Sequence, residues 1–360
     1  MKYRTTHLLA EKTLTGSGTE TLSINLNQPI SRISIGYREN MGDNNMEAQL
    51  GADLTSIELV DGSDVLFSLN GLEAQALGIY NRRVSTMNHG QYIPANSMYG
   101  LFPIDFGRWL WDPELAFDPT KFDNPQLKVT YDVDVACDAT TTSYLEVWAD
   151  VFDEKIIAPG GFLMTKEVMN YTCGSANSYE YVDIPTDYPI RQLLLRGYRS
   201  AYEPWYQIIE ARLNEDNDRR VVFDWDLEDY HRIMKGTWNP VIEQCIGYIH
   251  GASGYNKFVT PTDYYVVAAG IPNASTNVFY ASTYFRGGFL DIEADDSTMF
   301  IGMVYGWLPN HCWQFPFGNQ QDINDWYDVT DKKSIELRLK SGTSGTSGTG
   351  QVIAEQYRAY

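Results

Sequence analysis

Two stretches of the chain repeat each other: residues 29–38 read PISRISIGYR, and residues 189–199 read PIRQLLLRGYR. Each copy begins with Pro-Ile, continues through an aliphatic run and ends in Gly-Tyr-Arg. The segments that follow occur in the same order in both copies: an apolar run, an Asp- or Asn-rich turn and a second apolar run. We therefore interpret the chain as a duplicated unit whose copies start 160 residues apart (189 − 29).

Period-two alternation of apolar residues identifies strands within each copy. Residues 22–26 read LSINL, which is typical of a half-buried antiparallel strand. Asp61 and Gly62 predict a hairpin turn between apolar runs at 57–60 and 65–69. The aromatic content of 14% suits strands and large buried interfaces rather than helices.

One short helix is predicted at the same place in each copy. Asn70 and Asp226 are the expected N-caps, because their side chains accept hydrogen bonds from first-turn amides. Leu72 and Leu227 begin the apolar stripes that follow. A duplicated strand series with one helix each predicts an all-β fold of two tandem jelly-roll β-sandwiches, a double jelly roll.

The last strands of each copy are predicted to form a closing hairpin, with residues 138–143 (DATTTS) and 342–350 (GTSGTSGTG) at the tips. Residues 90–122 are predicted to be loop, because they are rich in Pro, Gly and aromatic residues. The second copy is longer, and residues 250–278 and 286–325 are expected to hold its main elaborations at the outward end of the barrel.

The predicted boundary between the copies is the segment DEKIIAPGG at 153–161. This division gives an N-terminal arm at 1–20, a first jelly roll at 21–160 and a second jelly roll with longer loops at 161–360. A length of 360 residues suits two hydrophobic cores better than one.

Composition and charge argue against several classes of protein. A net charge of −20 disfavours direct nucleic-acid binding, which needs clustered Lys and Arg. No stretch of 18 uncharged apolar residues occurs, and the polar N-terminal segment lacks the apolar core of a signal peptide. The cysteines are too sparse for a disulfide framework, so we expect reduced, buried thiols in a cytosolic setting. These cysteines are Cys137, Cys173, Cys245 and Cys312.

The sequence shows no recognisable catalytic centre, and we expect no enzymatic activity. The histidines are scattered, without an HExxH motif or a companion nucleophile motif. His231 is interpreted as a core residue of the second helix, and His311 as a loop residue beside a buried Cys312. Glu58 and Glu210 occupy equivalent repeat positions, which common ancestry explains without catalysis.

Calcium is the metal that the acidic loops suit, because it prefers hard oxygen ligands. None of the acidic clusters has EF-hand spacing, and DWDLED at 224–229 serves equally well as a helix cap with acidic first-turn residues. No other cofactor is expected. The calcium candidates are Asp216, Asp218, Asp224 and Asp226.

Aromatic residues in the second copy have two alternative interpretations. Stacking platforms for sugars and anchors for protein contacts use the same side chains. We expect Trp307, Trp313 and Phe315 to be buried against a neighbouring subunit or against their own loop base. Exposure of two or more of these rings would instead favour receptor binding.

Four segments resemble a known family. The phrase YVDIPTDYPIRQLLLRGYR (181–199), with TKEVMNYT (165–172) before it, resembles the start of the second barrel in double jelly-roll major capsid proteins. FDPTKFDNPQLKVTYDVD (117–134) and VLFSLNGLEAQALGIYN (65–81) resemble first-barrel segments of the same family. These proteins form the shells of tailless, icosahedral, membrane-containing bacterial viruses. The resemblance covers roughly residues 20–360 and rests on structural phrases rather than catalytic motifs.

The resemblance implies a homotrimer of pseudo-hexagonal outline that tiles an icosahedral virion and is assembled in the host cytoplasm. Implied partners are neighbouring capsomers, penton and minor capsid proteins, and an internal membrane touched by the N-terminal arm. Lys2, Arg4, His7 and Lys12 give that arm a basic character suited to anionic lipid headgroups. An arm that clamps a neighbouring capsomer is the alternative. The resemblance also implies that calcium could lie between subunits, as in some relatives, but it selects no site in this sequence.

The alternative function is a two-domain β-sandwich carbohydrate-binding protein or glycosidase. A glycosidase needs a pair of carboxylates flanking the scissile bond. Neither a distinguished carboxylate pair nor a secretory signal is evident in the sequence, so we expect the capsid protein.

Overall fold

The first half of the chain folds into strands because its apolar residues alternate, with Ile33, Ile35 and Tyr37 all completely buried. The computed structural model describes residues 2–42, 46–84, 88–92, 97–137, 140–155, 157–249, 255–270, 279–282, 287–294, 298–343 and 348–360. The elements of the first half are β1 (Tyr3–Leu14), β2 (Ser17–Ser23), β3 (Ile30–Met41), β4 (Ser56–Asp61), β5 (Asp64–Leu69), α1 (Gly71–Arg82), β6 (Asn88–Tyr92), β7 (Ser97–Asp105), β8 (Pro125–Asp132) and β9 (Thr140–Phe152).

The second half repeats this series and adds strands between its helix and its last strands. Its elements are β10 (Gly161–Thr172), β11 (Tyr179–Asp183), β12 (Ile190–Tyr198), β13 (Ile208–Glu215), β14 (Arg220–Asp226), α2 (Leu227–Thr237), β15 (Val241–Ile249), β16 (Tyr255–Phe258), β17 (Pro261–Gly270), β18 (Phe279–Ser282), β19 (Phe289–Ala294), β20 (Thr298–Pro309), β21 (Cys312–Pro316), β22 (Ile335–Ser341) and β23 (Thr349–Ala359).

The two halves have the same strand order. In the first half the sheets run β1-β9-β3-β7 and β2-β8-β4-β5; in the second they run β10-β23-β12-β21 and β11-β22-β13-β14. The two Gly-Tyr-Arg segments therefore lie in equivalent strands, β3 and β12, and each helix follows the equivalent strand, β5 or β14. The predicted duplication is confirmed. Each half is a jelly-roll sandwich, and the chain is a double jelly roll, with halves here called the first and second barrels.

The sheets continue from one barrel into the other. β5 pairs in parallel with β10, with Phe67 opposite Thr165, and β6 pairs in parallel with β15, with Gly90 opposite Cys245. β15, β20 and β17 thus extend a sheet of the first barrel, and β16, β19 and β18 form a separate three-stranded sheet. One cluster of buried apolar residues spans both barrels.

Both helices begin at the predicted caps. Asn70 Oδ1 accepts a hydrogen bond from the Glu73 amide at 2.9 Å, and Glu73 Oε2 accepts one from the Asn70 amide at 3.0 Å. This capping box satisfies two first-turn donors of α1. Asp226 Oδ1 accepts bonds from the first-turn amides of α2 at 3.0 and 3.1 Å. No helix among the described residues has the length and apolarity needed to cross a bilayer.

The prediction of an N-terminal arm at 1–20 is wrong. β1 pairs antiparallel with β9 along its length, and β2 pairs with β8. β1 is an edge strand whose side chains are mostly half-buried or exposed, so its sequence shows little apolar alternation. Two of its cations already have partners in the same chain, since Arg4 lies 3.6 Å from Asp153 and Lys12 lies 2.5 Å from Glu20.

The prediction of loop at 90–122 is wrong for β7, which lies between β3 and β6. Pro103 lies within this strand, opposite Ser34. Proline lacks the N–H that a ladder uses and is normally a signal against an interior strand. Pro103 and the nearby glycine are therefore the reason why this nine-residue strand was predicted to be loop.

The predicted closing hairpins are also wrong. β8 pairs with β2 and β4, whereas β9 pairs with β1 and β3, so the two strands lie in opposite sheets. β22 and β23 are separated in the same way. The last connection of each barrel therefore crosses from one sheet of the sandwich to the other. Residues 138–139 and 344–347 of these connections lie outside the described residues.

Candidate functional site

An apolar surface lies on the strands added to the second half. Met299, Ile301 and Met303 lie on one face of β20 and are 44%, 42% and 38% exposed. Phe300 and Val304 lie on the opposite face of the strand and are fully buried. β20 is therefore apolar on both faces. A strand of this kind is normally covered on both sides.

Neighbouring strands widen this surface. Tyr305 of β20 lies opposite Ile242 of β15 and opposite Tyr265 of β17, and the latter two are 43% and 55% exposed. We call the set Met299, Ile301, Met303, Ile242 and Tyr265 the β20 face. A contiguous exposed apolar surface of this kind is typical of a protein contact. This surface was not predicted from the sequence, although the apolar run at 299–305 indicates a strand that is apolar on both faces.

A buried polar network joins the two barrels. Glu355 of β23 is completely buried and accepts hydrogen bonds from Arg191 at 2.8 Å and Gln192 at 2.6 Å. Asn81 of α1 donates a third bond to Glu355 at 3.1 Å and accepts one from Arg191 at 2.9 Å. The helix of the first barrel is thereby fixed to the interior of the second. The sequence could not reveal this network, because its members are far apart in the chain.

The two singled-out histidines have structural roles, as predicted. His231 is buried on α2, where Nε2 lies 2.8 Å from Asp263 and the ring stacks on Trp205 at 5.1 Å. His311 is buried beside Cys312 with Tyr198 packed edge-on at 5.0 Å. Burial lowers the pKa of His311 to about 3, so the ring is neutral at pH 7.

The four calcium candidates lie on β14 or in the turn before it, with Asp226 at the far end of the strand, and each has a structural partner. Asp216 accepts bonds from the Lys333 and Ser334 amides, Asp218 and Asp224 lie near Arg212, and Asp226 caps α2. Within the described ranges, no three His, Cys, Asp or Glu side chains gather as a metal site would require. Calcium at these residues stays a prediction.

Glu58 and Glu210 lie on the equivalent strands β4 and β13, in different barrels. Glu210 pairs with Lys340 at 2.5 Å. The two carboxylates therefore belong to separate sandwiches and do not flank a common cleft, as the carboxylates of a glycosidase would.

Two of the three aromatic rings singled out in the second half are buried within the chain. Trp313 is completely buried and Phe315 is 5% exposed, stacked between Phe223 at 4.9 Å and Tyr230 at 4.6 Å. Trp307 is half-buried, and its Nε1 donates to the Trp238 carbonyl at 3.2 Å. At least two of the three rings are buried as predicted, but they lie in strand β21 and pack within their own barrel, not against a neighbouring subunit or a loop base. The parts of this region at 250–254, 271–278, 283–286 and 295–297 lie outside the described residues.

The four thiols are all buried, at 0–3% exposure. Burial raises the pKa of Cys173 to about 11 and that of Cys245 to about 12. We expect iodoacetamide at about pH 8 to leave the native protein unmodified, because the thiolate is the reactive form. Denaturation without reductant should then give four adducts by intact-mass analysis. Fewer than four adducts would show that a disulfide is present.

Glu243 is a buried carboxyl group on β15 whose Oε2 accepts a bond from the Thr260 amide at 2.6 Å. Burial raises the pKa of Glu243 from 4.5 to about 7 and outweighs the Thr260 hydrogen bonds, which lower it. The folded protein therefore binds this proton more tightly than the unfolded chain does.

The stability contributed by protonated Glu243 is complete below the unfolded pKa and is lost as the pH rises through about 7. The full change is on the order of 3 kcal/mol. Glu243→Gln keeps the acceptor for Thr260 but removes the titration. We expect its thermal-unfolding midpoint to fall less than that of the wild type between about pH 5 and pH 8. The exposed control Glu228→Gln should retain the wild-type slope; equal slopes for all three proteins would contradict the assignment.

Comparison with solved structures identifies the class of fold. The STIV MCP, a major capsid protein, superposes with a TM-score of 0.63 at 10% identity, covering 100% of this chain and 97% of that one. The PBCV-1 virus capsid gives a TM-score of 0.58 at 9% identity, covering 99% and 93%. Major capsid protein P2 of bacteriophage PM2 gives 0.52 at 11% identity, covering 99% and 98%. The chain thus shares the double jelly-roll fold of viral major capsid proteins over its whole length.

No family model matches the sequence, and no curated protein matches it significantly. At about one identical residue in ten, the likeness concerns the fold alone.

Proposed function

We propose that this protein is a major capsid protein whose chains assemble as homotrimeric capsomers into an icosahedral shell. The observation that carries the proposal is the repeated strand order of the two barrels, joined side by side through β5 and β10. Three such chains around a three-fold axis place six similar barrels in a ring. The resulting block has a nearly hexagonal outline and tiles a flat facet.

The surface properties support assembly between copies. Each chain carries a net charge of −20, so a trimer carries −60 (3 × −20), which keeps capsomers soluble and disfavours contact with genome. Copies that repel each other need uncharged contact surfaces. The β20 face provides one, because all of its five members are uncharged and exposed. We propose that it is buried between chains of the capsomer.

The proposed partners and the proposed setting are those of double jelly-roll major capsid proteins. Neighbouring capsomers, penton proteins and minor capsid proteins are the proposed partners, in a bacterial virus assembled in the host cytoplasm. Contact with an internal membrane would be made by the surface of β1 rather than by a mobile arm, because Tyr3–Leu14 is a sheet strand. We propose no enzymatic activity and no direct contact with nucleic acid.

Electron microscopy of the purified protein tests the proposal. Class averages should show particles of hexagonal outline with three-fold symmetry. Elongated two-lobed particles, each the size of a single chain, would contradict it and would favour the carbohydrate-binding alternative.

A further inference from the structure

A cleft of about 320 Å³ opens between the two helices, at the junction of the barrels. Its walls come from the last turn of α1, from α2 and the residues after it, and from β15 and β20. Small-molecule sites typically have volumes from about 300 Å³ and a mostly apolar lining with few polar groups. The apolar lining includes Ile79, Val84, Met234, Trp238, Ile242 and Leu308.

The surroundings of the cleft favour an anion. A second depression adjoins it and shares Tyr80, Arg83 and Trp238 with it. Neither lining contains an Asp or Glu, although acidic residues make up 47 of the 360 residues of the chain. On a strongly acidic protein, a surface without carboxylates is where an anionic ligand meets least repulsion.

Arg83 supplies the cation at the rim of the cleft. Its guanidinium lies 4.4 Å from the ring centroid of Trp238, and its backbone ends α1 in the left-handed region at φ 51°. The other arginines of the two linings, Arg82 and Arg191, are held by Asp105 and Glu355. Within the described part of the chain, Arg83 has no carboxylate partner, and its side chain is exposed.

We propose that this cleft binds an amphipathic carboxylate, with one aliphatic tail and one carboxylate head, such as the anion of a medium-chain fatty acid. The tail lies against the apolar walls, and the carboxylate accepts charge-assisted hydrogen bonds from Arg83. The site goes beyond the proposed capsid function. All of its lining residues belong to one chain, and it shares only Ile242 with the β20 face that the proposed contact between chains would bury.

Isothermal titration calorimetry on the purified full-length protein tests this site with three probes of equal tail length: decanoate, decanol and decyltrimethylammonium. Decanoate should bind about three- to fivefold more tightly than either other probe, since an ion pair with an exposed arginine is worth up to about 1 kcal/mol. Arg83→Gln should weaken decanoate binding by about the same factor and leave decanol binding unchanged. Arg219→Gln removes an exposed charge elsewhere and should change neither.

Several results would overturn the proposal. Equal affinity for the three probes would show that the cleft does not select a carboxylate. No detectable binding of any probe would show that the cleft is not a ligand site. An Arg83→Gln variant that binds decanoate as the wild type does would show that Arg83 is not the anchor. If the same variant changed only the oligomeric mass, the cleft would serve a protein contact instead.

Discussion

Ile301→Asp is expected to abolish the trimer. Ile301 lies at the centre of the β20 face, 42% exposed in the single chain, and the proposed contact buries it in every copy. A carboxylate buried there without a partner costs several kcal/mol per chain. Three such charges should weaken association at least about 1,000-fold. Size-exclusion chromatography with light scattering measures the loss directly.

Two control variants separate this effect from misfolding. Met303→Leu keeps the surface apolar and should leave the trimer intact. Val221→Asp makes the same kind of change at another exposed apolar position, 41% exposed on β14, and should also leave it intact. If Ile301→Asp remained trimeric while folded, the β20 face would not be the contact between chains.

Arg191→Met is expected to destabilise the protein by about 3–5 kcal/mol, the cost of leaving one partner of a buried ion pair uncompensated. Its partner Glu355 is completely buried and would keep only the amides of Gln192 and Asn81. For a chain of 360 residues this corresponds to a fall of roughly 4–7 °C in the thermal-unfolding midpoint. Differential scanning calorimetry provides the measurement.

The double variant Arg191→Met, Glu355→Gln tests the cause of that loss. Because it no longer buries a lone carboxylate, it should recover more than half of the stability lost in Arg191→Met. Arg232→Met removes an exposed arginine that pairs with Glu228, and should cost less than about 1 kcal/mol. Equal losses for the double and single variants would show that packing of the arginine stem, rather than charge, dominates.

The duplication and the helix caps could be predicted because their signals are local. The Gly36-Tyr37 and Gly197-Tyr198 pairs lie in equivalent strands, and Asn70 caps its helix through neighbouring residues. Edge strand β1 and the proline-containing β7 were missed because sheet partners far away in sequence hold them in place. Strand pairing of this kind is a tertiary effect that outweighs local preference.

The candidate sites were harder to predict than the fold. β20 is apolar on both faces, and the β20 face is the one that the rest of the chain leaves uncovered. The sequence alone does not show which face of such a strand is covered. The acidic residue Asp216 suggested a metal, yet its carboxylate orders a turn by accepting amide bonds from Lys333 and Ser334. Asx turns and metal loops use the same residue types, so composition does not separate them.

The mass of the purified chain in solution tests the central claim most directly. Mass photometry should show a compact species of about 123 kDa, three times the chain mass of 40.9 kDa, as expected for an obligate interface. The peak should persist at nanomolar concentration. A single species of about 41 kDa at micromolar concentration, from protein shown by circular dichroism to be folded, would contradict the capsomer.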